Sequence, residues 1–270
     1  MPETVLLVGC GNMGYAMLRG WLEAEPELAA YVVEPAAALR ERAASTGATA
    51  VADAGDLPSD LRPSLIYLAV KPQVMADVVP AYAGFSGGPA TFVSVAAGTT
   101  IATLAGMLPG PTPIIRCMPN TPAAIGQGMM VCCANDHTDA ASRELATRQL
   151  QSSGETAWID DEGLMDAVTA VSGSGPAYVF HLIECLTKAA IEVGLPEDLA
   201  TRMAMQTVRG AGAYAAGAAD SPGSLREQVT SPGGTTAAAL GVLMGDNSLQ
   251  QLMTEAVTAA RDRGRELSKT

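Results

Sequence analysis

The sequence predicts an α/β domain built on a doubly wound parallel sheet, followed by an all-α domain. In the first half, short apolar runs alternate with stretches of helical spacing, which is typical of a parallel sheet with helices on both faces. After Asp160 the strand signals disappear and only helical patterns remain. At this length the chain can form two domains with separate cores. We therefore expect residues 1–157 to form the first domain and residues 158–270 the second.

The predicted strands are short apolar runs that end at glycine, proline or a charged residue. A run without polar alternation is expected for a strand that is buried on both faces of a sheet. Stretches of helical spacing such as Asn12–Glu23 lie between the runs and supply the crossovers that parallel strands need. In chain order the runs are Val5–Val8, Tyr31–Glu34, Leu65–Val70, Thr91–Val95, Ile114–Cys117 and Met129–Cys133.

The predicted helices of the second half are rich in alanine and glycine. The first, Glu162–Gly194, is expected to bend near Gly173–Pro176, because proline interrupts helical hydrogen bonding. The others are Glu197–Ala216, Gly223–Gln228, Thr235–Met244 and Ser248–Leu267. So few large side chains would give a thin core if this half folded alone. We therefore expect the helices to pack against a second copy, with a homodimer as the minimum unit.

The composition excludes several classes of partner. The 270 residues carry a formal net charge of −12, so nucleic acid and anionic membranes, which require clustered lysine and arginine, are not expected as partners. No apolar run reaches the length of a membrane helix. An apolar strand follows Met1–Thr4 directly, which is not the pattern of a signal peptide. We therefore expect a cytoplasmic protein.

The cysteines do not form a recognisable framework. They are Cys10, Cys117, Cys132, Cys133 and Cys185, and the only histidines are His137 and His181. Their number is odd and no Cys-x-x-Cys pair occurs, so we expect neither disulfides nor a metal site. Cys132 and Cys133 are expected to point to opposite faces of a strand, and His181 to lie in a helical core or interface.

A glycine turn at the start of the chain predicts dinucleotide binding. It is Gly9, Cys10, Gly11, Asn12, Met13 and Gly14, and it follows a predicted strand and opens a helix. In Rossmann-type domains the first glycine permits the tight turn, the second admits the pyrophosphate and the third lets the helix pack on the strand. The pyrophosphate then lies at the positive end of a helix, where no basic side chain is required.

Glu34 indicates which nicotinamide cofactor the turn binds. It stands at the end of the second predicted strand, where an acidic residue is expected about 20 positions after the turn. A carboxylate there accepts a hydrogen bond from the ribose 2′-hydroxyl and repels a 2′-phosphate. Arg40 and Arg42 lie further on, inside the next helix. The cofactor is NADH or NADPH, and Glu34 favours NADH.

A second turn, near the carboxyl end, predicts an anion site in the other domain. Ser231–Thr236 reads Ser-Pro-Gly-Gly-Thr-Thr and leads into an alanine-rich helix. Free backbone N–H groups and threonine hydroxyls at the positive end of a helix bind a small carboxylate. Together the two turns indicate a dehydrogenase or reductase that acts on a small acid.

The chain closely resembles the pyrroline-5-carboxylate reductase family, whose members catalyse the last step of proline synthesis. The resemblance covers both halves and depends on five segments whose order and spacing match. They are Gly9–Gly14, Ala69–Pro72, Arg116–Pro122, Asp166–Phe180 and Ser231–Thr236. The last segment is the most specific. The stretch Ala218–Gly223 departs from the family, since some members carry a glutamate and a histidine there.

The resemblance implies the remaining site residues. The cofactor contacts near the nicotinamide are expected at Ala69, Val70, Lys71, Pro72, Met118, Pro119 and Asn120. The substrate contacts are expected at Ser231, Gly233, Gly234, Thr235 and Thr236. The N–H groups of Gly234, Thr235 and Thr236 take the carboxylate, and the Thr236 hydroxyl, the one catalytic candidate, points to the ring nitrogen. The resemblance also implies rings of dimers and frequent use of NADPH.

The expected reaction is hydride transfer from the nicotinamide to the imine carbon, which gives L-proline. A protonated or hydrogen-bonded imine is a good electrophile, so the reaction requires little acid–base apparatus. Catalysis then depends on alignment of donor and acceptor, which contributes ~7 kcal/mol or more when the geometry is right. A hydrogen bond from Thr236 adds to this.

Three alternatives stay open from the sequence. A 3-hydroxyacid dehydrogenase is disfavoured because no lysine follows Gly173–Gly175 until Lys188. A non-catalytic nucleotide sensor is disfavoured because the Ser-Pro-Gly-Gly-Thr-Thr hydroxyls are all present. A reductase of a six-membered cyclic imine is the main alternative, since the size of the pocket cannot be read from the sequence.

Overall fold

A computed structural model describes residues 3–267; the outermost residues of both predicted domains lie outside this range. The described strands are β1 Thr4–Val8, β2 Ala29–Val33, β3 Thr49–Val51, β4 Leu65–Leu68, β5 Thr91–Ser94, β6 Ile114–Met118, β7 Gly128–Ala134 and β8 Gly154–Trp158. The described helices are α1 Asn12–Ala24, α2 Ala37–Ala44, α3 Met75–Val78, α4 Ile101–Met107, α5 Ala140–Gln151, α6 Met165–Val168, α7 Gly175–Glu192, α8 Glu197–Gly217, α9 Pro222–Gln228, α10 Thr235–Leu243 and α11 Ser248–Leu267.

The chain divides into two compact units. The first contains residues 3–173 and the end of α11, and the second contains residues 174–260. The predicted fold class, a doubly wound α/β sheet followed by helices, is confirmed. The division into residues 1–157 and 158–270 stays a prediction. Among the described residues, none of the helices combines the length and the hydropathy that a membrane span needs.

The first unit contains one sheet with the strand order β3-β2-β1-β4-β5-β6-β7-β8. In this order, all neighbouring strands from β3 through β2, β1, β4 and β5 to β6 are parallel. The next strand, β7, pairs antiparallel with β6. We expected a parallel sheet, and the antiparallel strand β7 departs from that expectation. Residues 119–127 contain only a short 3-10 turn, and a parallel return requires a longer crossover. The edge strands β3 and β8 were not predicted; both are short or interrupted by polar residues.

The core of the first unit lies on both faces of the sheet. Leu6 and Leu7 are consecutive in β1 and fully buried, yet they belong to the two opposite clusters. On the side of α1, the rings of Trp21 and Tyr67 pack with their centroids 4.5 Å apart. Phe92 is buried on the other side. Two covered faces explain why these strands read as continuous apolar runs.

The second unit has almost no core of its own. Of its described residues, only Ala200 and Ala204 are buried, both in α8, which packs against α7. Large apolar side chains are exposed, among them Phe180 (60%) and Tyr214 (64%). Extended apolar surface of this kind marks a protein interface. The thin core expected from the sequence is therefore present.

The predicted long helix from residue 162 is not continuous. It consists of a 3-10 turn, the short α6, a π-helical turn at Thr169–Gly173, and α7. The Thr169 hydroxyl bonds back to the Met165 carbonyl, and the Ser172 hydroxyl to the Val168 carbonyl. Such side-chain bonds compete with the regular helical ladder. The regular helix is therefore interrupted directly before α7, next to the position at which we predicted a bend.

Candidate active site

The turn between β1 and α1 needs glycine at two positions for steric reasons. Gly9 has φ of +86°, and a Cβ atom on it would lie 2.7 Å from Val70 Cγ1. A Cβ atom on Gly14 would lie 2.5 Å from the Gly9 carbonyl oxygen. Gly11 differs, because no described heavy atom beyond its chain neighbours lies within 4 Å of a Cβ placed there. The space over Gly11 is therefore open to a ligand, as the predicted pyrophosphate contact requires.

The turn leads into a helix with an exposed positive end. α1 is 13 residues long, and its N-cap, Gly11, provides no side-chain hydrogen bond. The first N–H groups of a helix lack intrahelical partners and carry partial positive charge. Asn12 is exposed and Met13 is partly exposed at this end. In a chain with a formal net charge of −12, this end supplies positive potential for an anion.

The Glu34 carboxylate lies against the turn. Glu34 directly follows the last residue of β2 and is 6% exposed. One oxygen accepts the Cys10 N–H at 2.7 Å, and the other accepts the Ala36 N–H at 2.9 Å. Each carboxylate oxygen can accept a further hydrogen bond. Glu34 therefore fixes the turn and still presents acceptor capacity at the end of β2.

Arg42 also reaches the turn, which the sequence analysis missed. From α2 its Nη2 donates to the carbonyls of Cys10 at 2.9 Å and Gly11 at 3.2 Å. Its guanidinium lies over the Tyr15 ring, 4.2 Å from the centroid. From the sequence, Arg42 was expected only to lie inside the helix after Glu34, and no contact with the turn was predicted. Sequence distance does not show that a long side chain reaches back along the helix.

A cavity of about 390 Å³ opens beside the turn. It is lined mainly by apolar side chains at the carboxyl ends of β1, β2 and β4, the edge at which parallel sheets bind ligands. Six of the lining residues are Gly9, Val33, Pro35, Asp53, Val70 and Val74. A flat ring fits between such walls, and the lining includes two carboxylates, those of Asp53 and Asp77.

The segment after β4 lies at the same edge of the sheet. The Ala69 N–H donates to the Val8 carbonyl at 2.8 Å, which holds the segment against the start of the glycine turn. Val70 is partly exposed and borders the cavity. Lys71 and Pro72 are exposed, and Lys71 caps a short 3-10 turn. The structure therefore brings this predicted segment to the Gly9–Gly14 turn.

The segment Met118–Asn120 lies at the end of β6, and its polar side chain is already bonded. Asn120 Oδ1 accepts the Met129 N–H at 2.9 Å, and Nδ2 donates to the Ser172 carbonyl at 3.0 Å. Pro119 is buried. A Cβ atom on Gly173 would lie 2.6 Å from Cε at the flexible end of Met118, so the two residues pack closely. Asn120 thus ties the end of β6 to β7 and to the π-helical turn.

An ion pair between a buried arginine and a partly exposed glutamate supports the same strand. Arg116 is 4% exposed, and its Nη1 lies 2.9 Å from Glu162 Oε1. That oxygen also accepts the Ile101 N–H at 2.9 Å, at the start of α4. Removing one partner of such a pair leaves an uncompensated buried charge. The sequence motif included Arg116, but nothing in it indicated Glu162 as the partner.

In the second unit, the turn Ser231–Thr236 leads into α10, with Gly234 as the N-cap. The Gly234 N–H donates to the Ser231 carbonyl at 3.0 Å, so it is engaged inside the turn. The N–H groups of Thr235 and Thr236 lie in the first turn of α10, where no intrahelical partner exists. Ser231, Gly233 and Thr235 are exposed, whereas Thr236 is partly buried.

His181 lies on an exposed face of α7, with its Nδ1 3.0 Å from Glu184 Oε2. The hydrogen bond from His181 lowers the pKa of Glu184. We expected His181 to lie in a helical core or interface; within the single chain it is not in a core, because its side chain is exposed. Cys132 and Cys133 lie in β7 as predicted, and all five cysteines are unpaired. Among residues 3–267, no group of three histidine, cysteine or acidic side chains is placed to hold a metal ion.

Two family models match the chain. The model described as "Pyrroline-5-carboxylate reductase dimerisation" matches residues 162–267. The model described as "NADP oxidoreductase coenzyme F420-dependent" matches residues 4–98. The first match covers α6 to α11, whose apolar faces are exposed, and the second covers the glycine turn and its cavity.

Relatives match along the whole chain. The pyrroline-5-carboxylate reductase of Pseudomonas aeruginosa is 39% identical over 98% of this chain and 97% of its own length. The solved structure of a pyrroline-5-carboxylate reductase from Coxiella burnetii matches with a TM-score of 0.93 and 31% identity, with full coverage of both chains. That of Plasmodium falciparum pyrroline carboxylate reductase with NADP bound matches with a TM-score of 0.81 and 26% identity, over 98% of each chain.

Proposed function

This chain belongs to the pyrroline-5-carboxylate reductase family, and we propose that its two glycine turns bind the two reactants of that reduction. It is an NAD(P)H-dependent oxidoreductase of proline biosynthesis. A hydride passes from the nicotinamide to the imine carbon of 1-pyrroline-5-carboxylate, and a proton on the ring nitrogen completes L-proline. The observation that carries the proposal is the Gly9–Gly14 turn, with the open space over Gly11 at a helix N-terminus.

The cofactor is proposed to lie along the carboxyl edge of the sheet. Its pyrophosphate is bound by the N–H groups at the start of α1. Its adenine occupies the cavity lined by Val33, Pro35 and Val74. Its nicotinamide lies toward Ala69–Pro72 and Met118–Asn120. Both polar atoms of the Asn120 side chain are bonded to the protein. We therefore propose that Asn120 helps to form the wall of the nicotinamide site and does not donate a hydrogen bond to the cofactor.

We propose a preference for NADH, carried by Glu34. Two backbone N–H groups hold its carboxylate at the end of β2, so it cannot turn away from the ribose without losing both bonds. Its remaining lone pairs accept the 2′-hydroxyl. A 2′-phosphate at that place meets a fixed negative charge. NADPH is thus expected to bind more weakly.

The substrate carboxylate is proposed to bind at Ser231–Thr236. The N–H groups of Thr235 and Thr236 and the Ser231 hydroxyl are the donors, and Gly233 and Gly234 shape the turn. Since Gly234 N–H is engaged with Ser231, it contributes only if that bond opens. The Thr236 hydroxyl donates to the ring nitrogen, where the hydrogen bond strengthens as the amine forms.

The assembly is proposed to be a ring of dimers located in the cytoplasm, with neither nucleic acid nor membrane as a partner. The dimerisation model covers residues 162–267, which supports homo-oligomerisation. Five unpaired cysteines, four of them buried, favour a reducing compartment. The formal net charge of −12 disfavours nucleic acid and anionic lipid.

The proposal is tested by incubating the protein with pyrroline-5-carboxylate and NADH and identifying the product. We expect L-proline in a one-to-one ratio to oxidised cofactor, and slower turnover of the six-membered cyclic imine. Oxidation of cofactor with the six-membered imine alone would refute the substrate assignment. Absence of oxidation with either imine would refute the proposed use of the two turns.

A further inference from the structure

Two side chains hold the backbone N–H and C=O groups of Cys10, which belong to consecutive peptide groups of the glycine turn. The Cys10 N–H donates to Glu34 at 2.7 Å, and the Cys10 carbonyl accepts from Arg42 at 2.9 Å. The two side chains come from the end of β2 and from α2, elements adjacent to the turn. The backbone of the turn is therefore fixed by an acid and a base with opposite charges.

The Arg42 guanidinium is committed to the turn. Nη2 bonds to the carbonyls of Cys10 and Gly11, and the planar group lies 4.2 Å from the Tyr15 ring centroid. The Gly11 carbonyl also accepts the Tyr15 N–H at 2.9 Å, the first hydrogen bond of α1. Arg42 Nε is buried and has no partner among the described residues. Movement of Arg42 to solvent would break two bonds and the stacking.

The geometry of the peptide group links this contact to the ligand side. In a trans peptide the C=O of one residue and the N–H of the next point in opposite directions. No cis peptide occurs in the described chain. By holding the carbonyls of Cys10 and Gly11, Arg42 aims the N–H groups of Gly11 and Asn12 to the other side. No described atom beyond the chain neighbours lies within 4 Å of a Cβ placed on Gly11, so the protein leaves room for a ligand beside this residue.

We propose that Arg42 is a positioning residue, which aims the amides of Gly11 and Asn12 at the cofactor pyrophosphate and does not read the ribose 2′ position. The inference rests on the proposed role of the Gly9–Gly14 turn. Since the pyrophosphate is common to NADH and NADPH, loss of Arg42 weakens both cofactors by the same factor.

The experiment compares Arg42→Ala with Arg40→Ala in steady-state kinetics with NADH and with NADPH. Arg40 is the matched control, since it lies on the same helix and donates to the carbonyls of Glu34 and Pro35. We expect Arg42→Ala to raise the KM for both cofactors by the same factor, roughly 10- to 100-fold, because two charge-assisted bonds are lost. The kcat and the KM for the imine stay near wild type. Millimolar methylguanidinium is expected to lower the cofactor KM again.

If Arg42→Ala raised the KM for NADPH and left the KM for NADH unchanged, the inference would be overturned, since Arg42 would then bind the 2′-phosphate. Equal kinetics in Arg42→Ala and wild type would also overturn it. If Arg42→Ala does not fold, Arg42→Lys, which keeps the charge without the planar group, is expected to raise the KM of both cofactors partially and equally. A wild-type protein whose melting temperature neither NADH nor NADPH raises would instead refute the turn as the cofactor site.

Discussion

At the Gly9–Gly14 turn, side chains and backbone from other parts of the first unit fix the chain, whereas at the Ser231–Thr236 turn the backbone contact lies within the turn itself. Glu34, Arg42 and Val70 all touch the first turn. In the second, the Gly234 N–H bonds to Ser231 three residues earlier, and most of the turn is exposed. Both turns open a helix, and both place N–H groups at its positive end.

The difference shows that a helix N-terminus alone does not make a finished site. The first turn is shaped by its own unit before any ligand binds, so the cofactor meets a fixed backbone. The second turn lies in a unit with only two buried residues among those described, Ala200 and Ala204. We therefore expect its rigidity to depend on a partner that covers the apolar faces of the helices. Variants of the first turn should act on stability and cofactor binding, and variants of the second on substrate.

The largest expected effect is that of Thr236→Ala on turnover. Removal of the hydroxyl that we propose as the donor to the ring nitrogen should lower kcat roughly 10- to 1,000-fold, because such a bond would be strongest in the transition state. Stopped-flow and steady-state rates measure this, with Thr236→Ser as the control that keeps a hydroxyl. Near-normal kcat in Thr236→Ala would remove this residue from the mechanism.

Gly234→Val should act on substrate binding. A valine side chain on the N-cap of α10 blocks the approach of a carboxylate to the N–H groups of Thr235 and Thr236. We expect the KM for the imine to rise about tenfold or more, as for loss of a hydrogen bond to a charged group, with the cofactor KM unchanged. An unchanged KM for the imine would contradict the anion site.

A matched pair of glycine variants separates shape from binding in the first turn. Gly14→Ala places a methyl group 2.5 Å from the Gly9 carbonyl, so it should cost roughly 1–3 kcal/mol of unfolding free energy. Gly11→Ala meets no protein atom and should leave the melting temperature unchanged while it raises the cofactor KM. Thermal unfolding and kinetics of both variants provide the test. The reverse pattern would show that Gly11, not Gly14, packs against the protein.

Asn120→Ala should destabilise the end of β6. It leaves the Met129 N–H and the Ser172 carbonyl without their partner, at a cost of about 1–3 kcal/mol. Urea unfolding measures the loss. Asn120→Asp, which keeps the acceptor but loses the donor, is expected to recover part of it. Full stability in Asn120→Ala with a raised cofactor KM would instead make Asn120 a direct ligand.

The smallest expected effect concerns alkaline pH. Burial raises the pKa of Cys10 from 9.0 to about 11, and the Arg42 guanidinium partly opposes this. The folded state thus holds this proton more tightly than the unfolded chain does. The resulting stability is complete below pH 9 and is lost as the pH rises toward 11. Cys10→Ala should flatten the fall in melting temperature over this range, and the exposed Cys185→Ala should not.

Much of the first unit could be predicted from sequence because strands buried on both faces read as apolar runs. Val5–Val8 and the glycine turn specify their own conformation within a few residues. The antiparallel β7 could not be predicted, since its direction depends on the length of a connection without a regular helix. The short edge strand β3 gives little pattern of its own.

The site itself was predicted only where local chemistry determines it. The position of Glu34 at the end of β2 followed from spacing, but its bond to Cys10 did not. Arg42 and Glu162 were missed because each acts through a long side chain on a residue more than 30 positions away in the chain. Such contacts depend on how α2 and the turn before α6 pack, which no local pattern records.

The most direct test of the proposed reaction and of the role of Glu34 is to measure kcat/KM for NADH and for NADPH with saturating pyrroline-5-carboxylate. The fixed carboxylate of Glu34 predicts turnover with both cofactors and a higher kcat/KM with NADH. A higher kcat/KM with NADPH would contradict the role assigned to Glu34 and leave the reaction intact. Absence of turnover with both cofactors would contradict the assignment of the two turns to hydride donor and imine.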